Sequence, residues 1–249
     1  MEKAVLDLEE RLQGLSEQEI RVSAALLDQP ASVLATLRLL LSADEVARAE
    51  RFRFERDRDR YVVGRASLRR LLGSYLDASP ESLRFSYSRH RKPALSEPRT
   101  SLSFNLSHSD DLALYAVCLD AEIGIDIERF RPEPSRDRVP EHFFSPGEVE
   151  TLRSLTEAAQ SAAFLRCWTR KEAFLKARGD GLTLQLDSFD VTLTDHEHPR
   201  LLRTAWDPDE AASWSLHDLT GSFPGYVASM AVRGTGWSIS VNSPRVTPS

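Results

Sequence analysis

Hydrophobic and polar positions change their period many times along the chain, and each change marks an element. Residues 1–17 carry Val5, Leu8, Leu12 and Leu15 at helical spacing and predict a short extra helix. Glu19–Asp28 reads as a strand and Ala31–Leu41 as a helix. Ser42-Ala-Asp-Glu45 has the pattern of a capping box, in which serine and glutamate satisfy the first free N–H groups of a helix. Within Arg51–Arg70, Tyr61, Val62, Ala66 and Leu68, continued by Leu71 and Leu72, make an apolar helical face. Leu83–Ser88 predicts a strand and Arg89–Pro93 a basic turn. Leu102–Leu106 is extended and runs into Ser107-His108-Ser109, which reads as a turn. Leu112–Leu119 is apolar throughout, as in a buried strand.

The second half follows a similar order. Ser145-Pro-Gly-Glu148 is another capping-box pattern, Ala162–Arg178 predicts a longer helix, and Gly179 and Gly181 end it in a turn. Ser188–Leu193, Ser213–His217, Gly225–Val232 and Trp237–Val241 are the strand candidates, and residues 242–249 read as a loose tail. The expectation is an α+β protein of two similar halves, residues 1–120 and 121–249, joined near Asp120–Ile123.

Composition narrows the class. The 249 residues are 41% hydrophobic and 28% charged with a net charge of −6, so no overall basic field recruits nucleic acid. Cys118 and Cys167, the two cysteines, lie in apolar stretches and suit a reduced compartment. The amino terminus lacks an apolar signal core, and the apolar run near Val33–Leu41 is too short to span a bilayer. The expectation is a soluble, cytoplasmic protein that does not bind membranes. Basic residues number 32, yet lysine occurs only as Lys3, Lys92, Lys171 and Lys176. Lysine kept against so strong an arginine bias flags a point-charge contact to phosphate or a proton transfer.

Three stretches carry candidate chemistry. In the helix, Trp168, Glu172 and Lys176 stand at i, i+4 and i+8 and form one stripe, while apolar residues fill the other sectors. Alone, the Glu172–Lys176 pair reads more simply as a contact on a solvated face. In Ile123-Gly-Ile-Asp-Ile-Glu128 the three isoleucines share one face of a strand, and Gly124, Asp126 and Glu128 share the other. The glycine admits a close backbone or ligand. With Glu172, the two carboxylates make a partial oxygen shell of the kind Mg²⁺ accepts, whereas an isolated D-x-E is more simply two solvated acids. In Asn105-Leu-Ser107-His108-Ser109, adjacent serine and histidine face opposite ways on an extended chain, which serves a nucleophile–base pair poorly. Phosphate contact at a turn and a plain polar loop both fit these residues.

Taken together, RKPAL with FNLSHS, then GIDIE, then FFSPGE followed by WTRKEAFLKARGDGL resemble one family over Ser42–Val232. It is the 4′-phosphopantetheinyl transferases of the two-domain, surfactin-synthetase-activating type. The resemblance implies a pseudo-two-fold monomer with coenzyme A in the cleft between its halves. The activity it implies is transfer of phosphopantetheine from coenzyme A to a serine hydroxyl of an apo acyl or peptidyl carrier protein, releasing adenosine 3′,5′-bisphosphate. By motif, Asp126, Glu128 and Glu172 would hold Mg²⁺, or Mn²⁺, against the pyrophosphate. Lys176 would contact the pyrophosphate, and Glu172 is the candidate for taking the serine proton. Ser107 and His108 would bind phosphate, His108 aimed at the 3′-phosphate, and Arg60, Lys92 and Pro93 would line the coenzyme A site. Glu45 stands where the family often has a basic residue, and Arg48 fits a second basic position. The alternative is a non-catalytic module of this fold that binds carrier protein and coenzyme A without turnover. The intact Asp126, Glu128, Glu172 and Lys176 argue against it.

Overall fold

The computed structural model describes residues 15–90, 92–131, 139–179, 181 and 184–242. The helix expected over residues 1–17 falls, up to residue 14, outside the described residues, as does the tail from residue 243. In chain order the elements are β1 (Glu19–Leu26), α1 (Ala31–Arg38), α2 (Ala43–Ala49), α3 (Glu55–Leu76), β2 (Arg84–Tyr87), β3 (Pro93–Glu97), β4 (Leu102–Ser109), β5 (Leu112–Leu119) and β6 (Ile123–Arg129). They continue with α4 (Val139–Phe143), α5 (Pro146–Ser154), α6 (Glu157–Arg178), β7 (Phe189–Val191), β8 (Leu201–Thr204), β9 (Trp214–Asp218), β10 (Tyr226–Arg233) and β11 (Ser238–Asn242). The α+β class is as expected. Three details differ from the sequence reading. Ser107-His108-Ser109 is the end of β4, paired with β5 from Ser107↔Leu114 to Ser109↔Leu112, and not a turn. Arg51–Phe54 precede α3 instead of belonging to it. The short strands β3 and β8 carry too few apolar residues to announce themselves.

Two larger sheets form the centre, one ordered β11-β1-β5-β4 and the other β6-β10-β9. Their facing sides share an apolar layer. Ile20 and Val22 of β1 and Leu114 and Ala116 of β5 meet Ile123, Ile125 and Ile127 of β6 and Met230 and Val232 of β10. The outer face of the first sheet packs on α3 through Val63, Ala66 and Leu72 against Leu27, Tyr115 and Val117. The outer face of the second sheet packs on α6 through Ala173, Phe174 and Ala177 against Leu216, Val227 and Ala231. The layers therefore run helix, sheet, sheet, helix, each burying the apolar face that its sequence period supplies.

Both capping boxes close, and each glutamate does a second job. Ser42 N–H donates to Glu45 at 3.1 Å, and Glu45, fully buried, also accepts from Arg65 and Arg69. Burial alone would raise the Glu45 pKa, but the two guanidinium groups reverse this and hold it below the usual carboxylate value. Ser145 N–H donates to Glu148 at 2.9 Å, and Glu148 is paired with Lys171 at 2.8 Å. Arg69 and Lys171 each stand fourteen residues after the first residue of their helix, Glu55 and Glu157. Each also ties down the next segment: Arg69 donates to Pro80 O and Leu83 O, Lys171 to Leu186 O and Phe189 O. Lys171, flagged as a possible phosphate contact, is thus fully buried in a structural ion pair. Glu45 has the same kind of role, which explains a carboxylate at that position.

Candidate active site

The site grows from the contact of β6 with α6. Ile123, Ile125 and Ile127 are drawn into the layer between the sheets, so alternation turns Gly124, Asp126 and Glu128 towards α6. A Cβ at Gly124 would overlap the backbone of Ala173 and Ala177, so the glycine admits the helix itself. This approach brings the Glu172–Lys176 edge of α6 to the two strand carboxylates. Thr169 Oγ1, one turn earlier, shares a 2.9 Å hydrogen bond with Ser229 of β10 and fixes how the helix is rotated on the sheet.

On its other side β6 is met by the side chains of β4. Asn105 Oδ1 accepts from Ile125 N–H at 2.9 Å. Ser107 Oγ donates to Asp126 Oδ1 at 2.9 Å and accepts from Lys176 Nζ at 2.9 Å. Ser109 Oγ donates to Glu128 Oε2 at 2.9 Å and accepts from Arg129 N–H at 3.0 Å. Residues at i, i+2 and i+4 of β4 thus lie along the seam between the sheets. His108, between them, alternates to the opposite face and lines the same cleft as Arg60. The sequence reading missed Asn105 and Ser109, although a polar period of two in N-L-S-H-S is a signal for them.

A cleft of about 1340 Å³ opens along this seam, and Arg60, Lys92, Pro93, Ser107, His108, Asp126, Glu128, Glu172 and Lys176 all line it. These residues border one cavity although they come from α3, the start of β3, β4, β6 and α6, while Lys171, also flagged for phosphate contact, does not reach it. Arg48, Phe52 and Tyr61 extend the wall at the α3 end, with Arg48 over the Tyr61 ring. Arg60 is held by Asp28 through two hydrogen bonds of 2.6 and 2.8 Å, a partner that no local pattern announces. Lys92 Nζ donates to Ala177 O at 2.9 Å and Ile123 O at 3.2 Å, fastening the β2–β3 hairpin to the end of α6. Burial pushes its pKa down to about 8.

Charge in the cleft is divided. Lys176 Nζ lies 2.5 Å from Asp126 Oδ1. Burial raises the pKa of Glu172, and Asp126 and Glu128 add to the rise while Lys176 opposes it. Burial lowers the pKa of His108, and Lys176 and Arg60 lower it further against the pull of Asp126. Among the described residues no three His, Cys, Asp or Glu side chains close around a single point. Asp126 Oδ2, however, is buried without a hydrogen-bond partner, and Asp126, Glu128 and Glu172 offer only hard oxygen donors. Such a set fits a small divalent cation that keeps water and substrate oxygens among its ligands, and not a cation caged by protein alone.

Comparison with known proteins agrees across the chain. Residues 122–231 match the model of the 4′-phosphopantetheinyl transferase superfamily, and residues 29–120 that of a 4′-phosphopantetheinyl transferase N-terminal domain. The chain is 42% identical to the 4′-phosphopantetheinyl transferase HetI of Nostoc sp., covering 90% of this chain and 91% of that protein. It is 35% identical to the 4′-phosphopantetheinyl transferase psf-1 of Bacillus pumilus, over 68% of this chain and 75% of that one. For the 4′-phosphopantetheinyl transferase ffp of Bacillus subtilis the identity is 32%, over 73% and 80%.

Proposed function

The chain belongs to the 4′-phosphopantetheinyl transferase superfamily, and we propose that it moves phosphopantetheine from coenzyme A to a serine of an apo acyl or peptidyl carrier protein. The observation that carries this reading is the single cleft in which a cationic wall faces a carboxylate cluster. Coenzyme A carries its phosphates at two places, a 3′-phosphate and a pyrophosphate, and needs positive charge at both. His108 and Arg60, with Lys92 and Pro93 also lining the cleft, receive the nucleotide end, and Ser107, held between Asp126 and Lys176, contacts phosphate beside them. Lys176 holds the pyrophosphate next to the bond that breaks. The cleft is bordered by α3 and β4 on one side and β6 and α6 on the other. The recurrent cap, cation and helix arrangement supports a pseudo-two-fold relation between residues 1–120 and 121–249.

Asp126, Glu128 and Glu172 would hold Mg²⁺ or Mn²⁺, which when bound supplies positive charge to the pyrophosphate oxygens. The rest is positioning. Phosphoryl-type transfer needs aligned groups and compensated charge more than covalent help from the protein. Lys176 stabilises the charge that develops on the leaving bisphosphate. Glu172, whose pKa is raised, accepts the proton of the carrier serine as that oxygen attacks phosphorus. The products are holo-carrier protein and adenosine 3′,5′-bisphosphate. Cytoplasmic location and a monomeric state complete the proposal. Among the described residues no helix is long and apolar enough to cross a membrane.

The test is mass spectrometry of apo carrier domains incubated with the protein, coenzyme A and Mg²⁺. The expected result is a gain of one phosphopantetheine on the carrier serine, lost with chelator and in a serine-to-alanine carrier. Binding of coenzyme A with no modification across a broad carrier panel would favour the non-catalytic module instead.

A further inference from the structure

Ser109 stands at the end of β4, half-buried, where the seam meets the cleft. A hydroxyl has one donor and two acceptor sites, and here the donor is committed to a carboxylate. Ser109 Oγ accepts from Arg129 N–H at 3.0 Å, which anchors the oxygen to the β6 backbone, and gives its proton to Glu128 Oε2 at 2.9 Å. Glu128 itself lies on an edge strand, since β6 is laddered to β10 on one side and meets β4 through side chains on the other. A glutamate side chain has three rotatable torsions, so its carboxylate is placed only where a partner holds it. Two residues back, Ser107 makes the same kind of contact with Asp126, which shows that the spacing is systematic along the seam.

We propose that Ser109 is a positioning residue which aims the Glu128 carboxylate into the cleft for cation binding. The inference rests on the reading of Glu128 as a metal ligand. Hydrogen-bond partners that orient a ligand contribute to affinity through it: removing one commonly costs ~10–100-fold in metal binding. In this role Ser109 supplies no ligand of its own, and its effect passes through Glu128.

The experiment measures Mn²⁺ binding to the free protein by the electron paramagnetic resonance signal of unbound Mn²⁺, with no turnover involved. It compares wild type, Ser109→Ala, Glu128→Gln and the double variant. A second pair, Ser109→Thr and Ser109→Val, differs in the hydroxyl at nearly constant shape and replaces alanine should that variant not fold. Ser109→Ala and Ser109→Val are expected to weaken Mn²⁺ binding ~10-fold, while Ser109→Thr restores it. In the Glu128→Gln background, removing the hydroxyl should add no further loss, because coupled residues are not additive. Equal losses in both backgrounds, or a threonine variant as weak as valine, would overturn the role of Ser109. If Glu128→Gln itself leaves Mn²⁺ binding unchanged, the metal reading of Glu128 fails first, and the two failures are told apart.

Discussion

At the scale of single residues the cleft trades stability for chemistry, and Glu172 shows it most directly. Its pKa is raised because burial and the neighbouring Asp126 and Glu128 oppose its charge. The sign follows. Above the folded-state pKa the ionised carboxylate is held at a cost, and below the unfolded value of about 4.3 both states are protonated and the cost is gone. Glu172→Gln is therefore expected to raise the thermal midpoint at pH 7. The gain should fade as pH falls through the Glu172 range towards pH 4. The same variant should lose at least ~10²-fold in turnover, the scale of one transition-state electrostatic group. Midpoints measured in chelator at both pH values, with carrier modification rates, check the two halves. A variant that is active, or one no more stable at neutral pH, contradicts the assignment.

At the scale of elements, two contacts decide whether the cleft forms. The first is Gly124 against α6. In Gly124→Ala the new methyl group meets the backbone of Ala173 and Ala177, which has no rotamer to yield. The expected loss is at least the ~1–3 kcal/mol of an overpacked core, with activity falling further because Glu172 and Lys176 move with the helix. Urea unfolding and activity of the same preparation test this, and an unchanged midpoint would mean that the helix does not need the close approach. The second contact is the buried pair of Glu148 with Lys171. Lys171→Met leaves Glu148 buried without its cation, a change worth ~3–5 kcal/mol. Denaturant midpoints should show that loss, while coenzyme A affinity of the folded fraction stays near wild type, since Lys171 does not border the cleft.

For the whole molecule, the order of the first sheet separates stability from catalysis. β11 comes from the end of the described chain yet pairs in parallel with β1, and β4 lies at the opposite edge of the same sheet. Deleting the chain from Ser238 onward exposes the β1 edge and removes Ile239 and Val241 from the shared apolar layer. Two half-buried aliphatic side chains amount to ~2 kcal/mol. The truncated protein should unfold at lower urea and still modify a carrier at low temperature. Activity lost at unchanged stability would place β11 in the machinery of the cleft.

Local rules made much of this protein readable from its sequence. Alternation in Ile123–Glu128 assigns the core face and the carboxylate face without reference to any partner. The i, i+4, i+8 stripe places Glu172 and Lys176 together, and both capping boxes announce the starts of α2 and α5, because these patterns act between residues a few positions apart. Other features needed the tertiary fold. The serines of N-L-S-H-S look like turn formers until β5 is paired beside them and β6 offers carboxylates across the seam. Arg60 finds Asp28, Lys92 finds the end of α6, and Lys171 turns from a candidate phosphate contact into the partner of Glu148. Each of these joins distant residues, and a buried charge takes its meaning from whichever opposite charge the packing of the sheets and helices delivers to it.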